Sequence, residues 1–333
     1  MNQFWMNDMK DDWEEIGTIS SGRTERRADP DHPLDFFRAR SEKGNYMLVL
    51  KGDELPETQR LPVLSGLEIN LHHSKHDPDE LQLELLEAEQ KSIFRALVAD
   101  ILFATRNMSS GDDSAGAKRV ITRIERWQDL LKRRRNQVLS RQAIIGLFGE
   151  LKFFKERILP RMQPTEAAAA WRGPHGEEQD FAIGGWIIEI KTQLSTADQF
   201  LKISSEAQLD TTSGPIVVCH QTLASAPSDD IDALTLNGIV AKIRSDLFKS
   251  GASALDLFEA GLISTGYETR PDYDQESWKL VRSNFYEVED GFPRLIPANM
   301  PSGIQRITYR ITPAACSNFS RSEDWLNGTI FNV

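Results

Sequence analysis

A chain of 333 residues with 40% hydrophobic and 27% charged side chains has room for one large or two ordinary domains and the balance of a globular protein. The net charge of −11 argues against a uniformly basic surface for nucleic acid, and no apolar run approaches the ~18 residues of a membrane span. Cys219 and Cys316 are far apart and in no CxxC pattern, and the Asp-, Trp- and Glu-rich start does not read as a secretory signal, so a cytoplasmic location without a disulfide framework is expected.

Residues 1 to about 75 read as β-rich with loops. Tyr46–Leu50 predicts a short strand, and Leu67–Leu71 alternates in the manner of one. From about Leu81 to Arg106, helical spacing connects Leu85, Leu86, Phe94, Leu97, Val98, Ile101 and Leu102. Ser109–Gly116 is polar and contains glycine, which predicts a flexible connection there. That places one region at 1–110, β-rich and ending in a helix, and a second at 111–333 with a C-terminal β extension.

A basic helix is expected from about Lys118 to Arg135. Residues 118–141 hold nine Lys or Arg against only Glu125 and Asp129. The cluster fits either a solvated helix surface or a phosphate-contacting one, and in the second case Arg133, Arg134 and Arg135 are the candidates. A helix over about Arg141–Ile158 follows Ser140 as its cap and stops before Pro160. Within it, Glu150 has Gly146, Leu147, Phe153 and Phe154 at three- and four-residue spacing. A carboxylate in such company needs a partner, water at an edge, or a metal to face. Further on, Ile216–His220 predicts a strand, Ile231–Phe248 a helix, and Ala254–Ala260 a short helix ended by Gly261. Trp278–Val288 and Arg306–Ile311 are strand-like.

The segment Asp180–Lys191 carries the chemistry. It reads as two short strands joined at Gly184-Gly185. If those glycines form a two-residue turn, Ile183 faces Trp186, and counting outward sets Asp180 opposite Glu189. Like charges about 5 Å apart repel, which favours a cation between them. Lys191 shares the side of Glu189, while Phe181, Ile183, Trp186, Ile188 and Ile190 form a core-facing set. Glu178 falls on the charged side too, so an exposed, metal-free surface of ion pairs is the plain alternative.

Glu150, Asp180 and Glu189-Ile-Lys191, taken with Ala170–Gly176, Ser204–Asp210, Gly291–Ile296 and Leu61–Gly66, resemble the PD-(D/E)xK nuclease superfamily. Within it they resemble a bacterial family linked to phage-defence and restriction-modification loci. Position 179 is Gln, so the nominal Pro-Asp dipeptide is absent. The resemblance implies an α/β restriction-endonuclease-like core, a mixed sheet flanked by helices, with an N-terminal β-rich accessory region. It implies a Mg²⁺- or Mn²⁺-dependent DNA endonuclease of bacterial defence. Asp180, Glu189, the Ile190 carbonyl and Glu150 would serve the metal, and Lys191 the attacking water and the phosphate. Gln208 and His175 are further candidates for the site or the nucleic-acid backbone. Implied partners are DNA, ATPase and methyltransferase proteins of a defence operon, and a second copy forming a homodimer. The competing readings are a non-catalytic nuclease-fold scaffold of a defence complex and a ribonuclease. His72, His73, His76 and Asp77 lack the spaced partners of a zinc site. The chain has neither a GxxxxGK[ST] loop nor a GxSxG elbow. Phe4, Trp5, Trp13, Phe36 and Phe37 read as core aromatics.

Overall fold

The computed structural model describes residues 12–17, 22–56, 61–134, 138–173, 179–227, 229–250, 252–301, 303–304 and 306–332. In chain order they form strands β1 (Thr24–Arg27), β2 (Asp35–Arg40), β3 (Tyr46–Gly52), β4 (Leu67–His72) and β5 (Asp79–Leu85), then helices α1 (Lys91–Thr105), α2 (Asp113–Arg134), α3 (Arg141–Phe153) and α4 (Pro164–Ala170). Strands β6 (Phe181–Ile183), β7 (Trp186–Leu194), β8 (Leu201–Ile203) and β9 (Ile216–Ser225) follow, then α5 (Leu236–Phe248) and α6 (Ala252–Ser264). The chain finishes with β10 (Trp278–Val288), β11 (Tyr309–Ile311), β12 (Ser320–Arg321) and α7 (Glu323–Leu326). No helix among the described residues is long and apolar enough to cross a membrane.

Two compact units divide the chain: Met1–Gln137 with Gly251–Ser264, and Val138–Ser250 with Thr265–Val333. The first holds an antiparallel sheet of order β1-β2-β3-β5-β4. One face of that sheet shares a core with α1, α2 and α6: Leu48, Leu50, Leu81 and Leu83 pack with Phe94, Leu97, Ile124, Trp127 and Ala260. Of the aromatics expected in the core, Trp13 and Phe36 are buried, whereas Phe4 and Trp5 lie outside the described residues. Two buried acids inside this unit have cationic partners. Asp100 accepts from Arg123 Nε and Trp127 Nε1, both at 2.8 Å, and Arg95 meets Asp256 at 3.0 Å.

Four sequence expectations change here. The helix expected from Leu81 starts ten residues later, because Leu81, Leu83 and Leu85 alternate with Gln82 and Glu84 and fit a strand between β3 and β4. Ser109–Gly116 is no linker. Asp113 opens α2, and a Cβ on Gly116 would lie 2.4 Å from Leu34 Cδ1. The division accordingly falls at 137/138 instead of 110/111, since Ala117, Val120, Ile124 and Trp127 bury α2 in the first unit's core. Gly261 does not end a helix; α6 runs through it to Ser264.

The second unit is built on a mixed sheet of order β12-β10-β9-β7-β6, in which β7 and β9 are parallel and the other pairs antiparallel. Its apolar runs explain the burial: Ile216–Leu223 of β9 is buried throughout, as expected for a central strand covered on both faces. Helix α3 packs on one face. Gly149 lets it approach so closely that a Cβ there would lie 1.8 Å from Thr192 Oγ1. Phe153 meets Phe181 at 5.7 Å between ring centroids, and Phe148 meets Trp278 at 5.3 Å. A two-stranded ribbon of β8 and β11 contributes Leu201, Ile203 and Ile311 to the core on the opposite face, with Ile187, Ile216 and Val218. The face carrying Glu189 is therefore enclosed, where the sequence pattern alone contrasts it with the core-facing set. α5 begins at Leu236, capped by Thr235 Oγ1, which accepts the Gly238 N–H; Ile231, included in the expected helix, is exposed.

Candidate active site

Gly184 and Gly185 have φ of +57° and +85°, the pair of left-handed residues that a two-residue type I′ hairpin turn requires. The turn fixes the register at Ile183↔Trp186, Ala182↔Ile187 and Phe181↔Ile188. Asp180 then leaves the ladder. Its carboxylate Oδ2 accepts the Ile190 N–H at 2.7 Å, and its main-chain carbonyl accepts the N–H groups of Arg172 and Gly173 at 2.7 and 3.1 Å. Asp180 thus serves β7 through its side chain, and Trp171 continues the edge by bridging to Phe181. The Ile190 amide points toward Asp180, and an extended residue sends its carbonyl to the same edge of the strand.

Glu150 comes from α3. Its Oε2 accepts the indole N–H of Trp171 at 2.9 Å. Gly173 locates the two acids relative to each other: a Cβ built there would lie 3.2 Å from Asp180 Oδ1 and 3.8 Å from Glu150 Oε2. A small space flanked by two carboxylates thus exists only because residue 173 has no side chain. Glu189 is 2% exposed and accepts from Lys191 Nζ at 2.6 Å. The amine also donates to Gln208 Oε1 at 3.0 Å, and that oxygen accepts the Ser204 N–H at 2.9 Å. The turn bearing Gln208 is fastened by Arg294, whose Nη1 donates to the Leu209 carbonyl at 2.6 Å, and by Glu206, which accepts the N–H groups of Arg306 and Ile307.

The electrostatics follow from this enclosure. Burial drives the Glu150 carboxyl well above its usual range; the charges of Asp180 and Glu189 add to the rise, and the Trp171 hydrogen bond and Lys191 oppose it. Burial also lifts Asp180 to about 6, against the Ile190 hydrogen bond and Lys191. Desolvation thus outweighs the mutual repulsion that the sequence suggests as the cause. One strand over, His220 lies beside Lys191, and burial pushes it down to about 4, so it is neutral at physiological pH.

The structure sets Glu150 beside Asp180 at Gly173 and links Glu189, Lys191 and Gln208 by hydrogen bonds, all within the second unit. His175, Arg135 and Glu178 lie outside the described residues, as do the side chains of Arg133 and Arg134. His73 is a hydrogen-bond partner of Asp79 at 2.8 Å, and Asp79 also accepts the Leu55 and Ser74 N–H groups, a local loop anchor in the first unit. Trp171 and Gly173 were given no role by sequence reasoning. Their only signal is the Ala-Trp-Arg-Gly run, which betrays no contact with an acid twenty-one residues earlier.

Among the described residues no group of three or more His, Cys, Asp or Glu is gathered as a ready-made metal cage. The donor set nonetheless fits a hard dication of the magnesium type, which takes one or two carboxylates and keeps several waters. The Asp180 Oδ1 faces the Gly173 space, Glu150 adjoins it, and the Ile190 carbonyl lies on the same edge of β7. Crowded, buried acids with raised proton affinity are the donors whose charge a dication would balance.

No curated protein and no solved structure matches the chain significantly. One family model does, over residues 9–313 and hence over both units; its description reads "Putative PD-(D/E)XK family member, (DUF4420)", and the chain belongs to that family.

Proposed function

We propose that this protein is a Mg²⁺-dependent endonuclease that hydrolyses DNA phosphodiester bonds, in the setting of bacterial restriction or phage defence. The observation that carries the reading is the meeting of Glu150 and Asp180 at the Gly173 space, in a chain whose Lys191 amine is held by Glu189 and Gln208. Family membership supports a nuclease, and the defence setting rests on the resemblance carried by the sequence motifs alone.

Asp180, Glu189 and the Ile190 carbonyl would hold the ion, with Glu150 holding a water or a second ion. When bound, the ion supplies Lewis acidity toward water and the phosphate. Lys191 would contribute a positive charge to the phosphate oxygens and orient the attacking water. Gln208 keeps the amine in place through its own anchor on the Ser204 amide. The apolar residues on the Glu189 face, Ile187 among them, limit bulk water around these charges.

Plasmid nicking with Mg²⁺ or Mn²⁺ tests the proposal, comparing wild type with Asp180→Ala and Lys191→Ala and offering RNA beside DNA. Cleavage of DNA by wild type and its loss in both variants is expected. Equal cleavage by all three proteins, or a clear preference for RNA, refutes the reading as stated.

A further inference from the structure

The segment Trp171–Gly173 touches both acids of the site. Trp171 donates its indole N–H to Glu150, and its main chain bridges to Phe181. The next two amides close on the Asp180 carbonyl. The indole is 1% exposed, and its ring packs against Phe154 with centroids 6.5 Å apart. It therefore cannot swing away from the carboxylate without disturbing the core. A glutamate has several rotatable bonds, and a buried one adopts whatever direction its donors impose.

Resting on the metallonuclease reading above, we infer that Trp171 is a positioning residue: its indole N–H fixes the direction in which Glu150 presents its carboxylate to the space beside Gly173 and Asp180. Tryptophan suits the task because its ring nitrogen only donates, so the contact selects an acceptor and leaves no competing lone pair in the site. Gly173 completes the arrangement by leaving open the volume that the oriented carboxylate borders. The segment therefore couples an acid on a helix to an acid at a strand edge with one rigid ring and two backbone amides.

The test is Mn²⁺ binding followed by calorimetry, run with DNA cleavage kinetics, on Trp171→Phe, Glu150→Gln and the double variant. Trp171→Phe is expected to weaken Mn²⁺ binding or lower kcat by about 10- to 100-fold while leaving KM for DNA unchanged, the usual consequence of removing a partner that orients a metal-site group. In the Glu150→Gln background the same change is expected to add little, because the indole acts through the glutamate. Should Trp171→Phe fold poorly, replacing the side chain with 3-benzothienylalanine keeps the ring's shape and deletes only the donor. Unchanged Mn²⁺ affinity and kcat in the folded variant, or a full additional loss in the Glu150→Gln background, overturns the inference. If wild type binds Mn²⁺ but cleaves no nucleic acid, the hydrolytic reading fails, and the binding comparison still decides the role of Trp171. If wild type binds no Mn²⁺, both fall.

Discussion

Replacing Asp180 with Asn should make the metal-free protein more stable while removing its activity. The carboxyl has an ordinary value of 3.8 and is lifted to about 6, chiefly by burial. Each pH unit corresponds to about 1.4 kcal/mol, so ionising Asp180 in the folded protein costs at most about 3 kcal/mol. Its partial exposure reduces that to about 1–2 kcal/mol. Asn keeps an oxygen for the Ile190 amide and carries no charge, so the variant should gain most of this. The folded protein binds the Asp180 proton more tightly than the unfolded chain does. Stability from this group is therefore fully present below about pH 4 and lost as pH rises through about 6. In EDTA at neutral pH, thermal unfolding of Asp180→Asn should occur about 3–8 °C above wild type. The gap should close as the pH is lowered from about 6 toward 4, and Mg²⁺ should raise the wild type and not the variant. A variant less stable than wild type at neutral pH, or a gap that does not depend on pH, would refute the reasoning.

Other substitutions probe the surrounding frame. Gly149→Ala sets a methyl group against Thr192 Oγ1 and should cost about 1–3 kcal/mol by urea denaturation, with partial recovery in Gly149→Ala/Thr192→Ala. Arg95→Ala leaves Asp256 buried without its 3.0 Å partner and should destabilise the first unit by about 3–5 kcal/mol, whereas replacing both residues with apolar side chains of similar volume should restore most of it. Arg294→Ala releases the Leu209 carbonyl beside Gln208 and should lower kcat about tenfold with little change in unfolding temperature.

How much of this was legible in the sequence depends on the range over which each interaction acts. The hairpin was readable because Gly184-Gly185 specifies a local turn and the apolar alternation beyond it specifies the faces. Strand β10 was delimited to the residue for a similar reason, its pattern being local. The boundary between units was not readable: α2 is polar overall, and only the buried stripe through Val120, Ile124 and Trp127 reveals which core it joins. The exit of Asp180 from the ladder was hidden as well. It depends on amides at 172 and 173, and no spacing rule connects those positions to 180. Trp171 escaped for the same reason, since a tryptophan beside a run of alanines reads as core until the glutamate it meets is located in space.

The arrangement of the site also gives its charged groups partners of their own. Each charged group already has a donor or acceptor within the chain: Glu150 has the indole, Asp180 the Ile190 amide, and Glu189 the Lys191 amine, which Gln208 shares. One hydrogen bond does not offset the burial of a carboxylate, so Glu150 and Asp180 still hold protons more tightly than they would in water. An arriving dication must displace those protons, which makes its apparent affinity increase with pH. In the proposed site the ion would also have to share Glu189 with an ammonium group 2.6 Å away. The second partner of Lys191 would then matter: Gln208 is neutral, would not compete for the metal as a carboxylate would, and could retain the amine if Glu189 served the ion. The burial that raises the proton affinity of Glu150 and Asp180 is thus the same feature that would favour a dication in the proposed site, and Gln208 offers the Lys191 amine a neutral partner beside its ion pair with Glu189.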